Sequence, residues 1–139
     1  MKSKLNWAVI AMAGVFAVSV VAASEKPPEN YVAAMKSVQT TNNGLRAHVT
    51  AKDYAGIEAD AKALKAAFET TLKFWEEKKT EDAIGWSKGV LKAVDDLEKG
   101  AKDKNDEAIG MAQKAIGGSC MTCHTAHRER MPDGTSLIK

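Results

Sequence analysis

Between Pro28 and Pro132 the chain runs for more than a hundred residues without a proline. The ring that would break a helix interior is therefore missing from almost the whole of it. The same stretch is rich in Ala, Lys and Glu, all good helix formers, and it lacks the alternation of a half-buried strand. Apolar and small residues recur instead at intervals of three and four. Tyr31, Met35, Val38, Asn42, Leu45 and Val49 form one such stripe, with a single polar member. Ile57, Ala61, Leu64, Phe68, Leu72 (with Thr71) and Trp75 form a second. Ala83, Trp86, Val90, Val94 and Leu97 form a third, and Ile109, Ala112, Ile116, Cys120 and Cys123 a fourth. Each is the inward seam of an amphipathic helix.

Local signals divide the stripes into four helices. The first spans about 29–50. Asp53 is the expected N-cap of the second, which runs to about Lys78. Thr80 is the expected N-cap of the third, with Glu81 and Asp82 complementing its dipole, and Gly100 is expected to end it. Residues 103–106 form a polar link, and the fourth helix ends near Arg130. Pro132-Asp133-Gly134 is a turn signal before a short tail. Four amphipathic helices joined by links of a few residues predict an all-α fold, an antiparallel four-helix bundle in up-down-up-down order.

The N-terminus reads differently. Lys2 and Lys4 precede an uncharged apolar run from Trp7 to Ala22, and Val21-Ala22-Ala23 supplies small residues before a cut. This is the layout of a signal peptide over residues 1–23, leaving 24–139 as one domain and implying export to the periplasm or an equivalent space. An uncleaved anchor is the competing reading, but the run is shorter than the ~20 residues of a spanning helix. Without Lys2 and Lys4 the charges balance at 18 basic against 18 acidic residues. A neutral domain is not built to bind nucleic acid, which requires a basic surface.

The chain has two cysteines, three residues apart, too few and too close for a disulfide framework. They belong to Cys120-Met121-Thr122-Cys123-His124, the Cys-x-x-Cys-His attachment signature of c-type haem. The spacing has a chemical reason. Two thiols add across the two vinyl groups of one porphyrin edge, and residues three and four apart share a helix face. The adjacent imidazole is then placed to ligate the iron. Gly117 and Gly118 would allow the backbone to approach a flat ring.

Three alternatives compete. A thioredoxin-like redox pair sits at the start of a helix in a βαβ context, whereas this pair lies deep in a helix. A zinc site would have to recruit Cys120, Cys123, His124 and His127, consecutive on one helix and poorly able to surround a tetrahedral ion. A disulfide between cysteines three apart in a regular helix requires distortion.

With four helices and the haem motif in the last, the chain resembles the class II c-type cytochromes, cytochrome c′ and its low-spin methionine-ligated relatives. Class I cytochromes c carry the motif near the N-terminus instead. The resemblance covers about Glu29 to Arg130 and implies one covalently attached haem c on the C-terminal helix. It implies that Arg128, four residues after the haem histidine, stands near a propionate. In the low-spin members the sixth ligand is a methionine of the first helix, and Met35 looks like that residue. The arginine often seen a few residues earlier is absent here, where Ala33 and Ala34 stand. His127 occupies a position usually aromatic, and Met131 to Lys139 lies beyond the match. Family members are often dimers packed through their first two helices, so a homodimer is among the implied assemblies.

Read from the residues alone, Met35 is either an iron ligand on the inward seam or an ordinary core methionine. Met111, Met121 and His127 are on the helix of the proximal histidine and cannot reach the opposite face of a ring. His48 stands three to four turns past Met35 and reads as a surface histidine. Tyr31, Phe68, Trp75 and Trp86 are candidates for the pocket wall, or for plain core. The expected function is one-electron transfer through His124- and Met35-ligated iron, with a redox protein as partner and no membrane span in the mature chain. The alternative is a five-coordinate haem protein that binds NO or CO. An enzyme would need a distal acid–base pair, which the sequence does not offer.

Overall fold

The computed structural model describes residues 23–139; the expected leader, but for Ala23, lies outside the described residues. The chain forms four helices, α1 (Glu29–Ala51), α2 (Tyr54–Lys78), α3 (Glu81–Lys102) and α4 (Asp106–His127). A short antiparallel hairpin of β1 (Arg128–Arg130) and β2 (Ser136–Ile138) follows. Links of two or three residues force successive helices to run antiparallel. α1 packs on α2, α2 on α3 and α3 on α4, giving a four-helix bundle. No helix among the described residues is long and apolar enough to cross a membrane.

The links share one device. Lys52, Lys79 and Lys104 each adopt a left-handed conformation (φ 54°, 57° and 51°), and each is followed at once by the N-cap of the next helix. Asp53 Oδ1 accepts from Gly56 N at 3.0 Å, and Asn105 Oδ1 from Ala108 N at 3.0 Å. These bonds satisfy amides that a helix start leaves free. Thr80 stands at the N-cap position of α3 as expected, but its hydroxyl makes no capping bond. Glu81 and Asp82 supply negative charge to that first turn instead.

Gly100 does not end α3. It is buried inside the helix, and a Cβ placed on it would stand 3.2 Å from both Cγ1 and the backbone N of Ile109. It is the point at which the start of α4 lies against α3. α4 also stops earlier than expected, at His127, where the backbone turns extended at Arg128.

The predicted seams face inward. Val38, Leu45, Ile57, Ala61, Leu64, Phe68, Val90, Val94, Leu97, Ile109 and Ile116 belong to the main core, which Ala67, Ala93 and Ala101 extend. A second cluster of Tyr31, Phe74, Trp75, Ala83 and Ile138 closes the end of the bundle where α1 begins and α4 finishes. Its last member comes from the tail. Gly134, at φ 86°, makes the hairpin turn, and Ile138 is exchanged into a backbone bridge with Glu25 (2.9 and 2.8 Å). Lys78 pairs with Glu25 and secures the lead to α2.

Candidate functional site

The last two turns of α4 carry the Cys-x-x-Cys-His string. Cys120, Cys123 and His124 are all half-buried, whereas the intervening Met121 and Thr122 are exposed, Met121 by 70%. The three-and-four spacing has thus put two thiols and an imidazole on one inward stripe. Both cysteines are free thiols. Burial pushes the Cys120 thiol above its ordinary value. It pushes that of Cys123 up to about 11, with Cys120 and Asp82 adding to the effect. A redox-active pair needs the opposite, a thiolate stabilised below its ordinary value. His124 is held below the usual histidine range, first by burial and then by the positive charge of Arg128. At neutral pH its imidazole keeps a free lone pair, which metal ligation requires.

The inward stripe continues toward the start of α4 through Ile116 and Ala112, with Gly117, one heptad before His124, at its outer margin. Gly117 is exposed, and nothing lies within 4 Å of where its Cβ would stand. α1 and α4, which would be neighbours in a closed four-helix ring, do not pack backbone to backbone as the successive pairs do. This is the least tightly closed seam between neighbouring helices, and Cys123 of the motif is near Tyr31 on the α1 side and Asp82 on the α3 side.

Met35 lies in the second turn of α1, at the same end of the bundle as the motif. It is half-buried and packs against both hydrophobic clusters; Cys120 packs against the first of them. His48 is at the other end of α1, ~20 Å along the axis at 1.5 Å per residue. There its Nδ1 is 2.7 Å from Asp60 Oδ2 and its Nε2 3.9 Å from Asp53 Oδ2. It is a helix-linking residue remote from the motif. Met111, 62% exposed, also points away. With Trp86, Lys114, Gly118 and Thr122 it borders a shallow outer groove of about 530 Å³ between α3 and α4.

His127 does not join the cysteines. Its Nε2 sits 3.0 and 3.1 Å from the two carboxylate oxygens of Asp82, and its ring lies between Trp75 (5.0 Å between centroids) and Trp86 (5.7 Å). Among the described residues no group of three His, Cys, Asp or Glu side chains converges as a metal cage. A zinc reading of Cys120, Cys123, His124 and His127 lacks that convergence.

Arg128 is the first residue of β1. Its Nε donates to Ser136 Oγ at 3.0 Å, so the hairpin fixes its root while the rest of the guanidinium keeps its donors. Its charge acts on both His124 and Tyr31. The Tyr31 phenol is pushed up by burial and, further, by the nearby Cys123. Tyr31, Phe74 and Trp75 form a tilted and edge-on triad, with centroids 4.5 to 5.9 Å apart. Phe68 is buried in the main core. The tail was not among the expected site residues, yet Ile138 and Ser136 hold the floor on which Tyr31, Trp75 and Arg128 rest. The Pro132-Asp133-Gly134 turn was the one signal for it.

The set able to hold a flat macrocycle is thus Cys120, Cys123 and His124 on α4, with Met35 as the one methionine of α1. Comparison with family models, with characterised proteins and with solved structures finds no match to this chain.

Proposed function

We propose that the chain is an exported mono-haem c-type cytochrome of the class II kind, carrying single electrons to or from a redox protein in the periplasm. The observation that carries the reading is the common half-buried face of Cys120, Cys123 and His124, with a neutral imidazole and unionised thiols. The open position at Gly117 and the loosely closed α1–α4 seam support it, because a ring held by two thioethers needs room along the helix. When bound, the haem supplies a one-electron ferric–ferrous couple.

The chain's residues divide the remaining work. Cys120 and Cys123 would hold the haem through their thiols, and His124 would offer an imidazole nitrogen to its iron. Met35, on the inner side of α1, would offer its thioether to the iron as a second protein ligand, which would raise the potential. Arg128 balances the charge of a propionate. The apolar clusters exclude water and thereby tune the potential. His48, paired with Asp60 at the far end, is not available as a distal acid or base, so the reading is a carrier and not an enzyme.

A second reading rests on Met35 as well. Its packing against both clusters is the behaviour of a structural methionine. With Met35 as packing only, His124 would be the one protein ligand of the iron, and the protein would bind NO or CO.

Optical spectra of the purified protein, ferric and ferrous, with and without CO, separate the two. The carrier gives a low-spin spectrum with a ferric iron–thioether band and no rapid response to CO, and Met35→Ala converts it to high spin. A high-spin wild type that shifts on CO establishes the gas-binding reading. A pyridine haemochrome assay without covalent haem removes both.

A further inference from the structure

Trp75 is 1% exposed, and its Nε1 is buried without a hydrogen-bond partner among the described residues. Buried indole N–H groups ordinarily find an acceptor, because leaving one unpaired forfeits its hydration with nothing in return. The Tyr31 phenol oxygen is close enough to the indole to act as a weak hydrogen-bond neighbour, which partly offsets the burial that raises the phenol's own pKa, but it stands outside full hydrogen-bonding geometry and leaves the indole N–H without a well-formed bond. Three of the chain's own carboxylates near this end have partners of their own. Asp82 is held by His127 and by the Ala83 amide, Glu25 by Lys78 and Glu129 by the Ser24 hydroxyl.

The orphan donor is next to the motif and not in a remote part of the core. Trp75 packs at a tilt against His127, three residues beyond His124, with centroids 5.0 Å apart, and edge-on at 5.9 Å against Tyr31, which interacts in turn with Cys123 and Arg128. An indole N–H, a phenol and a guanidinium therefore gather beneath the last turn of α4. Two neutral donors and one cation with spare N–H groups form a receptor for a carboxylate.

We propose that Trp75 Nε1–H is a positioning donor to a carboxylate of the group held at Cys120 and Cys123, with Tyr31 and Arg128 beside it. The proposal rests on the haem reading, in which that carboxylate is a propionate. It assigns Trp75 a polar role that its place in an aromatic cluster conceals.

The test uses the holoprotein and needs no variant for its first arm. Processed at Ala23, the chain keeps only two tryptophans, Trp75 and Trp86, so its indole N–H signals are few enough to assign with Trp75→Phe. Spectra are taken on ferrous protein, with CO added if the iron is five-coordinate, so that the metal is diamagnetic. The proposal expects the Trp75 indole proton to move downfield and to exchange at least tenfold more slowly than in the haem-free Cys120→Ala/Cys123→Ala chain. In the second arm, resonance Raman of Trp75→Phe should show a displaced propionate bending band while the covalent haem and its axial-ligand bands persist. An indole that exchanges equally fast with and without haem overturns the proposal, as does an unchanged propionate band in a folded Trp75→Phe protein. Absence of covalent haem from the wild type is a different failure, that of the underlying reading.

Discussion

α3 offers two glycines on one helix for which the same substitution should have opposite signs. Gly89 is exposed, and nothing lies within 4 Å of its would-be Cβ. Gly89→Ala should gain the intrinsic helix advantage of alanine, ~1 kcal/mol. Gly100 would gain the same, but its new methyl meets Ile109 Cγ1 and the Ile109 backbone N at 3.2 Å and Ala108 Cβ at 3.3 Å. One of these contacts is backbone, so relief means moving the first turn of α4, and overpacking of that kind costs about 1–3 kcal/mol. Gly100→Ala should therefore come out neutral to ~2 kcal/mol less stable. The propensity term cancels between the two variants, so their difference isolates the contact at about 1–3 kcal/mol. In a domain of this size that is a melting-temperature gap of about 4 °C or more. Urea unfolding followed by far-UV circular dichroism, with equal m-values required across the set, measures it. Equal stabilisation by both substitutions would refute the packing argument and return Gly100 to the role of a simple helix-weakening residue.

Two further outcomes follow from the ends of the bundle. The hydrogen bond that His48 donates to the Asp60 carboxylate raises the His48 pKa above its ordinary value of 6.5. A raised folded pKa stabilises the protein below the unfolded value and ceases to do so as pH rises through the folded one. Stability should thus decline from just above pH 6.5 upward in the wild type, and Asp60→Asn should flatten that decline; parallel profiles in the two proteins would contradict the assignment. At the other end, Ile138→Ala removes a side chain that is 7% exposed within the aromatic cluster, and should cost about 2–4 kcal/mol in urea unfolding. A loss below about 0.5 kcal/mol would mean that the tail does not contribute to the core.

The helices were legible because the pattern that specifies them is local and repeated. Intervals of three and four from Tyr31 to Val49, or from Ile57 to Trp75, leave one geometry that buries them together. The caps were legible where side-chain chemistry sufficed, as at Asp53. Gly100 was misread because glycine has two uses in a helix, as a stop and as a place for close approach, and only the partner, Ile109, distinguishes them. The hairpin left little trace. Arg128-Glu129-Arg130 and Ser136-Leu137-Ile138 are too short and too polar to alternate, and the burial of Ile138 depends on rings from α1 and α2 more than sixty residues away in sequence. At the site, the grouping of Cys120, Cys123 and His124 followed from spacing alone. What spacing does not carry is the surroundings: the engagement of His127 by Asp82, the open position at Gly117 and the unpaired indole of Trp75 all arise between helices.

The bridge between Glu25 and Ile138 also sets the polarity of the molecule. Lead and tail leave from the pole that carries the Cys–His turn, while the Lys52–Asp53 and Asp103–Asn105 links occupy the opposite pole. A handle joined next to Glu25 or Lys139 is therefore a handle on the pole that carries the Cys–His turn. A chain immobilised by such a tag turns that pole toward its support, whereas one coupled through Lys52 or Lys104 presents it to solution. Under the proposed role, in which the protein meets a redox partner, the choice of attachment residue becomes a choice of which face that partner is allowed to see.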